Sequence, residues 1–260
     1  LKKNLLINKM KKKLKVIIIA AGIGQRLRPL TENLPKGLLP IGNTSIIGIQ
    51  LKVFKSLKLK LINIINGYKK DKFNFKNVKY ITNKDYKKNN VLESFFYAKK
   101  ILNDECIVSY SDIIFKKKVV NKLMKSKADI SIVVDTDWKK SYIGRVHHPY
   151  SEADKAFFNS KFELVRIGKN IPLKKCNSEF IGMMKLNSKG CEIFKKYYDI
   201  AKIKFKSKKF FTSKNIQKSY LTDFFVYLME NKIKINCVSI KSGWMEIDTV
   251  EDYVKAQKFK

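Results

Sequence analysis

The stretch Lys15–Ala20 restricts the fold more than any other part of this chain. Behind its first lysine it is unbroken apolar sequence, and it runs directly into a loop with two glycines. Such a run has no face to offer water, so it reads as a strand buried on both sides of a parallel sheet. Leu61–Ile65, Val78–Thr82, Glu105–Tyr110 and Ile130–Asp135 read the same way. Between them, Ile46–Leu57, Val91–Leu102 and Val119–Lys127 carry helical spacing. Strand and helix alternate, which predicts an α/β unit with a mostly parallel sheet.

The second half is less regular. Arg145–Asn159 is polar and reads as a loop. Phe162–Ile167, Phe180–Leu186 and Ile235–Ile240 are predicted strands, and Cys191–Ile203 and Gln217–Asn231 predicted helices. A terminal helix is predicted over Thr249–Phe259, with Thr249 as N-cap and Asp252 three residues on, an aspartate version of the capping box. With no repeat or linker, 260 residues suit one α/β domain with an elaborated end. The expected domain covers 10–260, with 10–135 as a nucleotide-binding half and 136–260 as an acceptor-binding half. Residues 1–9 are expected to be disordered or an upstream extension. Residue 1 is Leu and Met10 opens a lysine-rich stretch, so translation from Leu1 and from Met10 both stay open. A signal peptide is not expected, because no A-x-A-type site follows the apolar run.

Composition removes several classes. The chain is 45% hydrophobic with 17 Phe and 12 Tyr, too rich for intrinsic disorder. Its longest apolar run, Val16–Ile23, is far below the ~20 residues of a membrane span. Four scattered cysteines form no C-x-x-C pair; neither a zinc site nor a disulfide framework is expected, and the cytoplasm is the expected compartment. The net charge is 56 − 22 = +34, which invites a nucleic-acid reading. Only Arg26, Arg28, Arg145 and Arg166 are arginines, and the lysines are scattered in short clusters that no segment owns. That pattern reads as AT-rich codons on tolerant surfaces, and no nucleic-acid partner is expected.

The chemistry concentrates in Ala20, Ala21, Gly22, Gly24, Arg26, Leu27, Pro29, Leu30 and Thr31, followed by Pro35, Lys36, Leu38 and Pro40. Glycines at a strand end let the backbone turn tightly and present amides to a phosphate. Arg26 and Lys36 add full positive charge toward the same anion. No Gly-Lys-Ser/Thr follows and the third glycine of a dinucleotide fingerprint is missing, so neither of those motifs applies.

This string resembles the signature G-x-G-x-R-L-x-P-L-T, spacer, P-K-x-L-x-P of the nucleotidyltransferases that make nucleoside-diphosphate sugars and CDP-alcohols. The resemblance implies a Rossmann-like three-layer fold, a nucleoside triphosphate substrate and pyrophosphate release. Asp112, in Ser109-Tyr110-Ser111-Asp112, resembles the family's metal aspartate. Asp248, in Trp244-Met245-Glu246-Ile247-Asp248-Thr249, resembles a closing motif of the cytidylyltransferase members. Both are expected to hold Mg²⁺, which prefers one or two carboxylates plus phosphate oxygens. Asn90 and Ser94 resemble the N-x-x-x-S helix start of phosphocholine cytidylyltransferase-like members, and Asn90 is the candidate reader of a pyrimidine or ribose.

The succession from Val134 to Lys155, then Glu179–Lys185, then Tyr220–Asp223, looks like the bacterial branch that activates phosphocholine, 2-aminoethylphosphonate or related phosphonates with CTP. The expected acceptor residues are Trp138 and Trp244 by cation–π contact, Glu152 and Glu179 toward an ammonium, and Arg145 and Lys155 toward a phosphonate. Asp154 and Tyr142 are further candidates. A two-histidine metal site at His147 and His148 is not expected, because adjacent residues of extended chain face opposite ways. The expected reaction is Mg²⁺-dependent CMP transfer to a small anionic acceptor. The oligomeric state stays open, a homodimer included. Two alternatives remain. A sugar-1-phosphate nucleotidyltransferase is disfavoured by the absence of a Gln-Pro-x-Gly segment. A non-catalytic nucleotide-binding homologue is disfavoured by the presence of Arg26, Lys36, Asp112 and Asp248.

Overall fold

A computed structural model describes residues 14–259; the questions of residues 1–9 and of Met10 lie outside that range. The described residues begin with β1 (Lys15–Ala20), a short hairpin of β2 (Pro40–Ile41) and β3 (Thr44–Ser45), and α1 (Ile46–Ser56). Next come β4 (Leu61–Asn66), β5 (Lys79–Thr82), α2 (Val91–Phe96) and β6 (Cys106–Tyr110). Then follow β7 (Ile113–Phe115), α3 (Lys117–Met124) and β8 (Ile130–Asp135). The last part holds β9 (Lys155–Phe158), β10 (Leu164–Ile167), β11 (Ser178–Leu186) and α4 (Ser188–Lys204). It closes with α5 (Leu221–Glu230), β12 (Asn236–Ile240), β13 (Trp244–Glu246) and α6 (Val250–Ala256).

β1 lies at the centre, parallel to β4 on one side and β6 on the other, and β4 continues to β5. β11 then runs antiparallel between β6 and β8, and β12 returns parallel to β8. β9 and β10 complete the same sheet beside β11, each antiparallel to its neighbour, so two strands, β11 and β10, are reversed in an otherwise parallel sheet. The buried side chains of β1 alternate between two cores. Ile17 and Ile19 pack with α2, α4 and α5. Val16, Ile18 and Ala20 pack with Ile47, Leu51 and Phe54 of α1 and Val119 and Leu123 of α3. This is the α/β unit the apolar runs predict, in the three layers the family resemblance implies.

Two details of the sheet shape its carboxyl edge. β11 shifts register between Phe180 and Met184. Gly182 sits at the shift with φ +77°, and a Cβ there would lie 2.5 Å from the Tyr110 ring. Only glycine accepts both that dihedral and that ring. The first residues of β11 thereby leave β6 and pair with β9 instead, and the sheet forks around Tyr110. Separately, β13 pairs with β7, with Glu246 opposite Ile113, and Ile247 donates its amide to the Asp112 carbonyl at 2.8 Å. This ribbon carries the closing motif to the end of β6.

The structure corrects several sequence expectations. Arg145–Asn159 is not all loop: it contains β9 and one 3₁₀ turn, Tyr150–Glu152. β9 is four residues long and paired only with β10 and the start of β11, too short to show a period. The helix predicted over Val91–Leu102 ends at Phe96, where Tyr97 and Ala98 switch to bonds three residues back, tightening the last turn. The closing motif, whose alternation would put Glu246 and Asp248 on one face of a short strand, is strand only as far as Glu246, and Asp248 lies beyond the end of β13. The terminal helix keeps its predicted cap: Thr249 accepts from the Asp252 amide and Asp252 answers the Thr249 amide. Among the described residues no helix is long and apolar enough to cross a membrane.

Candidate active site

At the carboxyl end of β1 the chain turns through Ala21–Gly24 into a 3₁₀ turn, Gln25–Leu27. Gly24 has φ +71°, and a Cβ on it would lie 3.0 Å from the Lys36 Cβ. Thr31, fully buried, donates its hydroxyl to the Gly24 carbonyl at 2.8 Å and pins the loop from below. Among the described residues, the amides of Gly22, Ile23 and Gly24 donate to no protein acceptor. A row of free amides at a strand end is an anion nest. The second motif half forms another 3₁₀ turn, Lys36–Leu38, whose Gly37 is packed so closely that a Cβ would meet Ile47 at 2.6 Å. That packing fixes Lys36 against the loop.

A cleft of about 280 Å³ opens at this edge. Its floor is the loop and the end of β6, including Ala20, Ala21, Gly22 and Gly24. The Lys36 ammonium lies 3.0 Å from Asp112 Oδ2 and also bonds Asp248 Oδ1. Arg26 bonds the other oxygen, Asp248 Oδ2, and stands 3.7 Å from Glu152. Burial alone would lower the Lys36 pKa, but Asp112 and Asp248 outweigh it, and the lysine is held above its ordinary value. Burial alone would raise Asp248; Lys36 and Arg26 reverse that and hold it below the usual carboxylate range. Glu246, beside both aspartates, is pushed well up by burial and then by their charge.

The wall formed by β9, β11 and α5 is acidic and aromatic. Burial raises Glu179 to about 8, against the opposing hydrogen bond from the Tyr142 hydroxyl. Glu179 Oε2 is buried and has no hydrogen-bond partner. Burial also raises Asp154, to about 6. Tyr110, Phe180, Tyr220 and Trp244 supply the rings, and Trp244 Nε1 is anchored on Asp135 at 2.8 Å. Lys169 reaches Glu152 at 2.8 Å, lowering its pKa, and stands 6.0 Å over the Tyr220 ring.

Most of the residues singled out in the sequence meet in this one cleft: the loop residues, Arg26, Lys36, Asn90, Ser94, Asp112, Glu152, Glu179, Trp244 and Asp248. Three do not. Trp138 is buried in a separate cluster with Tyr142 and Ala153, where its ring meets Tyr142 and Tyr150 edge-on. Arg145 is buried behind the cleft, 2.8 Å from Asp252 Oδ1 and stacked over Tyr142. Lys155 is buried too, and its ammonium donates to the Tyr150 carbonyl. All three expectations rested on residue type, and here packing and local partners take up the groups. Asn90 caps α2 through its side-chain oxygen, which accepts from Val91, while its amide donates to the Lys218 carbonyl. Ser94 is held by Asn83. Sequence reasoning missed Lys169, gave Tyr110 and Tyr220 no role although both stand in segments that resemble the family, and assigned none to His148, which lies buried beside Glu246.

With this geometry in view, the nucleotidyl transferase family model matches residues 15–152, more than half of the chain, and the chain belongs to that family of enzymes. It is similar along nearly its whole length to the CTP:phosphoglutamine cytidylyltransferase of Campylobacter jejuni, at 28% identity over 250 residues, covering 91% of this chain and 96% of that protein. It is 34% identical over 117 residues to the choline-phosphate cytidylyltransferase of Streptococcus pneumoniae, covering 44% of this chain and 51% of that protein. A solved structure of CTP:phosphocholine cytidylyltransferase from Streptococcus pneumoniae shares the fold, with a TM-score of 0.69 at 22% identity over 95% of this chain and 98% of that one.

Proposed function

We propose that the protein transfers CMP from CTP to a small phosphorylated or phosphonate acceptor that carries an amine. The observation that carries this reading is the convergence of Arg26, Lys36, Asp112 and Asp248 beneath a loop of free amides. Such a site neutralises a polyphosphate and has no need of a protein nucleophile, because the acceptor is already an anion.

In the proposed reaction an acceptor phosphate oxygen attacks the α-phosphorus, the bond from that phosphorus to the bridging oxygen breaks, and pyrophosphate leaves with the electron pair. The amides of Gly22–Gly24 and Arg26 hold the triphosphate. Lys36 offsets charge at the reacting phosphate. Glu179 and Asp154 accept from the acceptor's ammonium, with Trp244 and Tyr220 beside it. These roles are supported by cleft position and by the activities for which the similar cytidylyltransferases are named.

The residues also fit a divalent cation. Asp112 Oδ1 is buried and has no hydrogen-bond partner, and Asp112 and Asp248 both reach one point, the Lys36 ammonium. Asp112 and Asp248 would hold Mg²⁺, with Glu246 close by. When bound, the ion supplies charge neutralisation to phosphate oxygens.

The test is to follow label from CTP. Label at the α-phosphorus should appear in the acceptor product and label at the γ-phosphorus in pyrophosphate. Release of inorganic phosphate from the γ-position would contradict the reading.

A further inference from the structure

We propose that the side of Asp248 turned away from Asp112 is a second cation site, in which His148 supplies a nitrogen ligand beside Glu246 and Asp248, and that it takes a divalent transition-metal ion. It goes beyond the transfer reaction and does not depend on the identity of the triphosphate.

The starting point is an unsatisfied ring. His148 is buried, with its side chain 2% exposed, and neither ring nitrogen has a hydrogen-bond partner. Leaving a buried imidazole without partners costs about 1–3 kcal/mol per group, so native proteins seldom do it without an ion or a ligand. The ring is well held. Tyr142 packs edge-on at 5.7 Å, and Glu251 accepts from the amides of Val146 and His147 at 3.1 and 3.3 Å, tying this segment to α6.

What the ring faces is a ligand set. His148 Nε2 is 3.5 Å from Glu246 Oε2, and Nδ1 is 3.7 Å from Asp248 Oδ2. Both separations are too long for a hydrogen bond. One donor atom from each of His148, Glu246 and Asp248 lies within 4.8 Å of the other two, close to the spread around a single ion with bonds of about 2.0–2.2 Å. Asp252 is also near Nδ1, at 3.8 Å, but does not join the set. Its Oδ2 already accepts from the amides of Asp248 and Thr249 and from Arg145.

The two sides of Asp248 differ in chemistry. Oδ1 faces Lys36, which also meets Asp112, and that side offers only oxygen, which suits Mg²⁺. Oδ2 faces Arg26 and His148. An imidazole with two carboxylates suits borderline ions such as Mn²⁺, Co²⁺ or Zn²⁺ and adds little for Mg²⁺. Glu246 and Asp248 beside a neutral ring offset the ion's charge, Asp248 sharing its own with Arg26 and Lys36, while Asp252 neutralises the neighbouring Arg145.

The experiment loads the full chain with Mn²⁺ alone, without nucleotide, and records pulsed electron paramagnetic resonance. The expected result is nitrogen modulation from a bound imidazole in the unaltered protein and in His147→Gln, whose ring is exposed. In His148→Gln the modulation should be lost and Mn²⁺ affinity should fall at least about tenfold. Bound Mn²⁺ without nitrogen modulation in the unaltered protein, or no Mn²⁺ binding at all, would overturn the proposal. The unaltered protein decides the matter even if a variant fails to fold. With no triphosphate present, a negative result leaves CMP transfer to its own assay.

Discussion

The Lys36 ammonium stands 3.0 Å from the Asp112 carboxylate, although 76 residues separate the two in the chain. The same ammonium also bonds Asp248, so one lysine joins the phosphate loop, the end of β6 and the closing motif. Lys36→Met should therefore lower kcat by about 10²–10³-fold, the usual effect of removing one electrostatic contact to a developing charge. Circular dichroism should show secondary structure retained. A kcat within a few-fold of the unaltered enzyme would remove Lys36 from the chemistry.

Asp112 is the complementary case. Its side chain is partly exposed to the cleft and its Oδ1 is unpartnered, so little of the fold depends on it. Asp112→Ala should abolish pyrophosphate release while the melting temperature stays within a few degrees. Retained turnover would defeat the assignment.

Glu179 makes stability depend on pH. Its carboxyl is raised from 4.5 to about 8 in the folded state. Below pH 4.5 both states are protonated and the contribution is fully present. As pH rises the unfolded chain releases its proton first, so the contribution is lost progressively up to and through pH 8. A tenfold change in proton affinity corresponds to ~1.4 kcal/mol. Glu179→Gln keeps an acceptor for the Tyr142 hydroxyl and does not titrate. Urea unfolding should show it more stable than the parent by a few kcal/mol at pH 9, with the gap shrinking toward pH 5. A gap independent of pH would contradict the placement of Glu179.

Trp138 separates packing from recognition. It is buried against Tyr142 and Tyr150, outside the cleft. Trp138→Leu should cost about 2–4 kcal/mol of stability through the cavity it leaves, with the KM for acceptor unchanged in the folded enzyme. A raised KM without loss of stability would return Trp138 to the acceptor site.

These cases also show what a sequence can carry. β1 and β8 occur over the residues expected of them, because a strand buried on both faces must be continuously apolar. The loop from Gly22 to Thr31 is legible because its residue types answer to backbone and phosphate geometry, as Gly24 shows. The acceptor side is not. Trp138, Arg145 and Lys155 have the right chemistry but point elsewhere, since direction there is set by the fork in β11 at Gly182 and by short strands without a period. Lys169 enters the cleft from a segment with no pattern, and Tyr220 from one whose pattern assigns the ring no role. The rule about neighbours in extended chain excludes only both histidines facing one site, and His148 alone faces the carboxylates while His147 is exposed.

The most direct measurement is pyrophosphate release with Mg²⁺ and CTP against phosphocholine, 2-aminoethylphosphonate, phosphoenolpyruvate and glucose-1-phosphate, with UTP, dTTP and GTP in parallel. The account predicts release with CTP and an amine-bearing acceptor. Release with glucose-1-phosphate alone, or with nothing under any triphosphate, would contradict it.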